Sequence, residues 1–140
     1  MDNTVQALNR LLALHGGSLP LYLASAPPHL APCDLKGWEV VEQIIEDQRQ
    51  MMDKIADLVE ESDGVPNRGE FPAEFTGMHD LSMGFMLRNM LSRQHNEIQQ
   101  IEAISSGLTE GSAAQAVAQE ALGAAKGHAQ SLQECLATPA

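Results

Sequence analysis

The chain has 140 residues, enough for one domain and too few for two comfortable ones. Its formal charge of −11 argues against nucleic-acid binding, which needs clustered Lys and Arg, and against a basic membrane-surface helix. Apolar residues make up 44% of it and aromatics only 4%, with Ala, Leu, Gln and Glu abundant, a mixture that favours helix over sheet.

Four helical patterns follow one another. The first, near 4–26, stops at the prolines of "APPHLAPCD", and the second opens at Asp34 and runs to 62 before "DGVPNRG". The third covers 78–106, with Gly107 as its C-cap, and the fourth covers 110–136. No β-alternating segment, repeat or low-complexity tract interrupts them. The expectation is a single all-helical domain over 1–140.

The connections carry topology. Asp63 to Gly77 is fifteen residues, which can stretch to about 50 Å at ~3.3 Å each. The second helix spans about 40 Å at ~1.5 Å per residue, so that link can cross the whole domain. The other two connections are shorter and suit antiparallel neighbours. Two antiparallel hairpins joined by one long crossover is the ferritin-type connectivity of a four-helix bundle.

A helix packed lengthwise turns inward at steps of three and four residues. On the first helix that seam reads Val5, Leu8, Leu12, His15, Leu19, Tyr22, and on the second Val41, Ile44, Gln48, Met51, Ile55, Leu58. The third gives Leu87, Leu91, Gln94, Ile98, Ile101, and the fourth Val117, Ala121, Ala124, His128, Leu132, Cys135. Each seam holds one strongly polar residue near mid-helix. A buried amide or imidazole without a partner costs on the order of 1–3 kcal/mol, so the spacing predicts a shared polar layer of His15, Gln48, Gln94 and His128. Slipping the second helix would instead turn in Glu46, or Gln50 with Asp53.

Between His15 and Tyr22, Gly16, Gly17 and Pro20 predict a bend, since Pro20 has no N–H for the Gly16 carbonyl. The absence of side chains there admits a close neighbour or a ligand. Glu39, Glu42, Glu46, Asp47, Asp53 and Asp57 read as a solvated face. The methionines, Met51, Met52, Met78, Met83, Met86 and Met90, read as core filler rather than a copper box. Cys33 and Cys135 form no CxxC motif and read as two free thiols. No apolar run approaches the ~20 residues that span a bilayer, and no basic region precedes an apolar block at the N-terminus. The expected compartment is the cytoplasm.

These segments resemble the ferritin-like family, bacterioferritin above all. "LNRLLALHGGSLPLYL" is similar to that family's first helix, with His15 where a metal-binding Glu is expected and Tyr22 seven residues on. "MLRNMLSRQ" resembles the third helix, with Gln94 at its Glu position. "AKGHAQSLQECL" resembles the fourth, where His128 matches the His of Glu-x-x-His but Ala125 replaces the Glu. Gln48 and Met51 stand for the second helix's Glu-x-x-His pair. The resemblance implies a homodimer, and these departures imply a degenerate metal site. A dinuclear carboxylate centre needs four acidic ligands, and the seam offers none. The expected role is non-catalytic, a scaffold or interaction protein with an unknown protein partner and no catalytic residue. The alternatives are a metal-binding protein or oxidoreductase holding a single transition-metal ion at His15 and His128, and a small-ligand carrier using space near Gly16 and Gly17.

Overall fold

A computed structural model describes residues 3–137, with the side chains of 79 and 80 outside the description. The described residues are helical with no strand: α1 (Asn3–Gly16), α2 (Leu19–Ser25), α3 (Leu35–Glu61), α4 (Met83–Ser106) and α5 (Ala113–Ala137), with short 3-10 segments at Pro32–Asp34 and Ala73–Asp80. No helix among them is long and apolar enough to cross a membrane.

The first helical pattern is broken rather than bent. α1 ends at Gly16, and α2 restarts with Ser18 as N-cap and Pro20 in its first turn, where a missing N–H does no harm. The Ser18 hydroxyl accepts from the Leu21 N–H at 3.4 Å. The glycines are required by a close approach. A Cβ on Gly16 would lie 1.8 Å from the Arg68 carbonyl oxygen, and one on Gly17 would lie 2.7 Å from that of Glu70. The neighbour they admit is the backbone of the α3–α4 connection.

Cross-helix pairs set the directions. Val5 lies beside Val59 and Gly64, whereas Ser18, just past the end of α1, bonds Gln48, so α1 runs against α3. His128 pairs with Asp47 and Lys54 with Glu120, so α5 also runs against α3. Gln94 bonds the Ala125 carbonyl and Gln119 bonds Ser105, so α4 opposes α5. It follows that α3 and α4 point the same way, and the chain must travel back the full length between them.

That return runs along α1. Asn9 holds it with both ends of its amide, donating to the Val65 carbonyl at 3.1 Å and accepting the Asn67 N–H at 2.8 Å. Gly69 takes φ +76° against Ala13, a left-handed conformation that glycine adopts at little cost. Phe71 and Phe75 then close on Tyr22, with ring centroids 5.3 and 5.6 Å away. Tyr22 is therefore half-buried under the crossover rather than a member of the central seam.

Two apolar clusters form the core. One gathers Leu8, Leu11, Leu12, Met51, Ile55, Val59, Ile101, Ile104, Ala118 and Ala121 with their neighbours. The other gathers Leu19, Leu23, Val41, Ile44, Phe75, Met83, Met86, Leu87, Met90 and Leu132. The six methionines named above are all buried in these clusters, where their unbranched side chains fill irregular space. Cys33 is exposed and Cys135 half-buried, both as free thiols.

Candidate functional site

Buried polar residues stand between the two apolar clusters. His15 falls between Leu12 and Leu19, Gln48 between Ile45 and Met51, Gln94 between Met90 and Ile101, and His128 between Ala125 and Leu132. All four are buried, and all four border one small interior cavity. They form a polar stratum that separates the two halves of the core. The volume open within it is ≈ 10 Å³, about the room for one water.

Each group has a protein partner. Nδ1–H of His15 donates to the Leu11 carbonyl at 2.9 Å, one turn back on α1, so Nε2 keeps its lone pair. The Gln48 Oε1 accepts from the Ser18 hydroxyl at 2.7 Å. That serine joins α2's cap to the polar stratum, and it is itself buried. Gln94 donates its amide N–H to the Ala125 carbonyl at 3.4 Å, reached because α5 carries small residues at Ala121, Ala124 and Ala125. Nε2–H of His128 donates to Oδ2 of Asp47 at 2.8 Å. Among the described residues no deeply buried side-chain nitrogen or oxygen lacks a partner.

Burial pushes the His15 imidazole below its ordinary range, and the nearby His128 ring pushes the same way, while the bond to Leu11 opposes both. His15 is therefore neutral at pH 7. Glu97, one turn beyond Gln94 on α4, also borders the cavity. Burial raises its carboxyl to about 7, only partly offset by the positive charge of Arg93.

The acidic residues need correction. Glu39, Glu42, Glu46, Asp53 and Asp57 are exposed, as a solvated face requires, but Asp47 turns to His128. The slipped register of the second helix is not adopted: Glu46, Gln50 and Asp53 face outward, while Gln48 and Met51 are buried. Nor is the interior free of carboxylates, because Asp47 and Glu97 both reach the cavity wall. Glu97 stands three residues after Gln94, one helical step on the same face, and that spacing was the available signal. Asp47 had no such signal, since its neighbour across the α3–α5 interface is 81 residues away.

Among the described residues, no group of three or more His, Cys, Asp or Glu side chains is placed to hold a metal ion. His15 and His128 border the same cavity, but Nε2 of His128 is committed to Asp47. Two open grooves flank the polar stratum. One, of ≈ 310 Å³, lies between α1, α2 and α4 and shares Gln94 and Glu97 with the inner cavity. The other, of ≈ 570 Å³, lies between α3 and α5 and shares Asp47 and His128. Comparison of the chain with protein-family models, with curated proteins and with solved structures found no match.

Proposed function

We propose that this chain is a ferritin-like four-helix bundle with a non-catalytic role, a scaffold or interaction protein in which side-chain hydrogen bonds replace a metal centre. The helix directions and the long return between α3 and α4 support the bundle reading, because this is the topology that requires such a crossover. The observation that carries the role is the polar stratum itself. His15, Gln48, Gln94 and His128 are each bonded to another protein group, and the space left among them is about that of one water. Buried polar groups satisfied in this way fix the register of packed helices. Dimerisation through an outer helical face belongs to this reading, as does a cytoplasmic setting with an unidentified protein partner.

Elemental analysis of protein purified without chelators tests it. The expected result is no stoichiometric transition metal. A metal retained at one per chain, and lost when His15 and His128 are both replaced, overturns the proposal.

One observation favours a second reading, a single transition-metal ion in this layer. A histidine that gives one ring N–H to a carbonyl or carboxylate is oriented as metal ligands are, and both His15 and His128 do so. The same analysis discriminates the two.

A further inference from the structure

Glu97 is the one polar group at the stratum that the hydrogen-bonding scheme leaves out. Among the described residues its carboxyl makes no hydrogen bond and no ion pair. Arg93, one turn earlier on α4, is the obvious partner but its hydrogen bonds go elsewhere. Its guanidinium pairs with Glu74, donates to Asn89 at 2.6 Å and lies 4.7 Å from the centre of the Phe75 ring. An Arg placed N-terminal to a Glu is also the weaker orientation for such a pair.

The carboxyl instead stands where the groove between α1, α2 and α4 meets the interior cavity, because Glu97 and Gln94 line both. The groove holds ≈ 310 Å³, at the small end of the range for ligand sites, and Leu14, Pro20, Phe75 and Met90 supply apolar wall. An apolar cleft ending in an unpaired, half-buried carboxyl has a definite complement. We propose that this groove binds a small organic monocation, an alkylammonium, with its charged nitrogen against Glu97 and its alkyl chain along Leu14, Pro20, Phe75 and Met90.

An ammonium carries three donors. Glu97 accepts one, and Gln94, whose amide N–H is engaged by the Ala125 carbonyl, has its side-chain oxygen available for a second. The formal charge of −11 concentrates cations near the surface. A divalent metal ion fits less well, since among the described residues no three His, Cys, Asp or Glu side chains converge to hold one, and a metal gains nothing from apolar walls. An anion would meet Glu97 and also Glu70, and the positive charge that lines the same groove, that of Arg93, is already paired with Glu74.

Binding is linked to protonation, because only the ionised carboxyl attracts the cation. The groups facing Glu97 are Arg93 on its own helix, His15 from α1, Asp47 from α3, His128 from α5 and Glu70 from the crossover. With the carboxyl titrating near about 7, its ionised fraction differs about thirtyfold between pH 5.5 and pH 8.

Calorimetric titration of the full chain with n-hexylamine, against 1-hexanol as neutral analogue, tests this. At pH 8 the amine should bind with one-to-one stoichiometry, at least tenfold tighter than the alcohol, and weaken at least tenfold at pH 5.5. Glu97→Gln should lower the amine's affinity at least tenfold while leaving that of the alcohol unchanged, with circular dichroism checking the fold. Leu14→Ala should weaken both several-fold. If Glu97→Gln does not fold, the alcohol and pH comparisons on the natural chain decide. Equal binding of amine and alcohol, amine binding that survives Glu97→Gln, or Glu97-dependent binding of Zn²⁺ without any of the amine would each overturn the proposal.

Discussion

His128 on α5 donates from Nε2 to Oδ2 of Asp47 on α3 across 2.8 Å, joining two helices at the level where the apolar core is interrupted. The imidazole is almost wholly buried, whereas the carboxylate side chain is 38% exposed. The pair therefore closes the polar stratum on the side of the α3–α5 groove.

Asp47→Ala should remove that closure. A buried ring nitrogen losing its partner costs on the order of 1–2 kcal/mol, tempered here by water entering through the groove. Asp53→Ala, on the outer face of the same helix, should stay within about 0.5 kcal/mol of the natural chain. Urea unfolding of both variants measures the contrast. Equal stabilities would mean that the bond contributes nothing to the fold.

Gly16→Ala should be severely destabilising, by more than about 2 kcal/mol, because its Cβ would fall 1.8 Å from the Arg68 carbonyl oxygen. Either the crossover lifts or the end of α1 unwinds. Gly123→Ala and Gly127→Ala lie in α5 with nothing within 4 Å of the new methyl, and should instead stabilise by about 0.5–1 kcal/mol. Thermal unfolding of the three variants checks the opposite signs. A tolerated Gly16→Ala would show that the crossover is not seated against α1.

Stability should depend on pH through Glu97 and His15 with opposite signs. The carboxyl of Glu97 is raised from 4.5 to about 7, so the folded chain holds its proton more tightly than the unfolded chain. Between those values the unfolded state binds fewer protons, and this contribution to stability falls as pH rises. Glu97→Gln should thus stabilise by on the order of 1–3 kcal/mol at pH 8, with the gain fading toward pH 4.5. His15 is lowered from 6.5, so the unfolded chain takes its proton first and stability falls as pH drops below that value. His15→Gln should flatten this acid limb. Unfolding curves from pH 4.5 to 8 test both. A Glu97→Gln gain independent of pH would show that its carboxyl is not held in its raised state.

Gln48→Glu with Gln94→Glu should create an ion site beside His15, since both side chains border the cavity and carboxylates neutralise a bound dication. The metal-free double variant should lose on the order of 3 kcal/mol from buried like charges, and Zn²⁺ affinity should rise at least tenfold over the natural chain. Titration with Zn²⁺ followed by thermal unfolding measures both effects. An unchanged affinity would count against the proposed ferritin-like reading of these positions.

Much of this arrangement is legible along the chain because helical periodicity is local. The four polar residues are buried at the seam positions that the three-and-four spacing assigns them. The terminators at "APPHLAPCD" and at Gly107 lie at or near helix ends for steric reasons that need no tertiary partner, whereas the bend expected at Gly16–Pro20 is a full break. The outward set Glu39, Glu42, Glu46, Asp53 and Asp57 follows from the same periodicity.

What periodicity leaves open is what lies opposite each residue. Asp47 and Glu46 are adjacent acids on one helix, yet one meets an imidazole of another helix and the other is exposed, bonded to Gln50 of its own helix. Glu97 is set apart from the chain's exposed glutamates by the groove it enters and by Arg93 turning to Glu74 and Phe75. Gly16 and Gly17 announce a close approach without saying that the approaching group is the crossover backbone. Burial, pairing and the height of the carboxyl pKa are sums over neighbours from other helices. Sequence by itself therefore determined the mid-helix polar residues that turn inward and the helix ends at the proline segment and at Gly107, whereas only the tertiary structure decided which inward groups are mutually satisfied and which one, among the described residues, is left without a hydrogen bond.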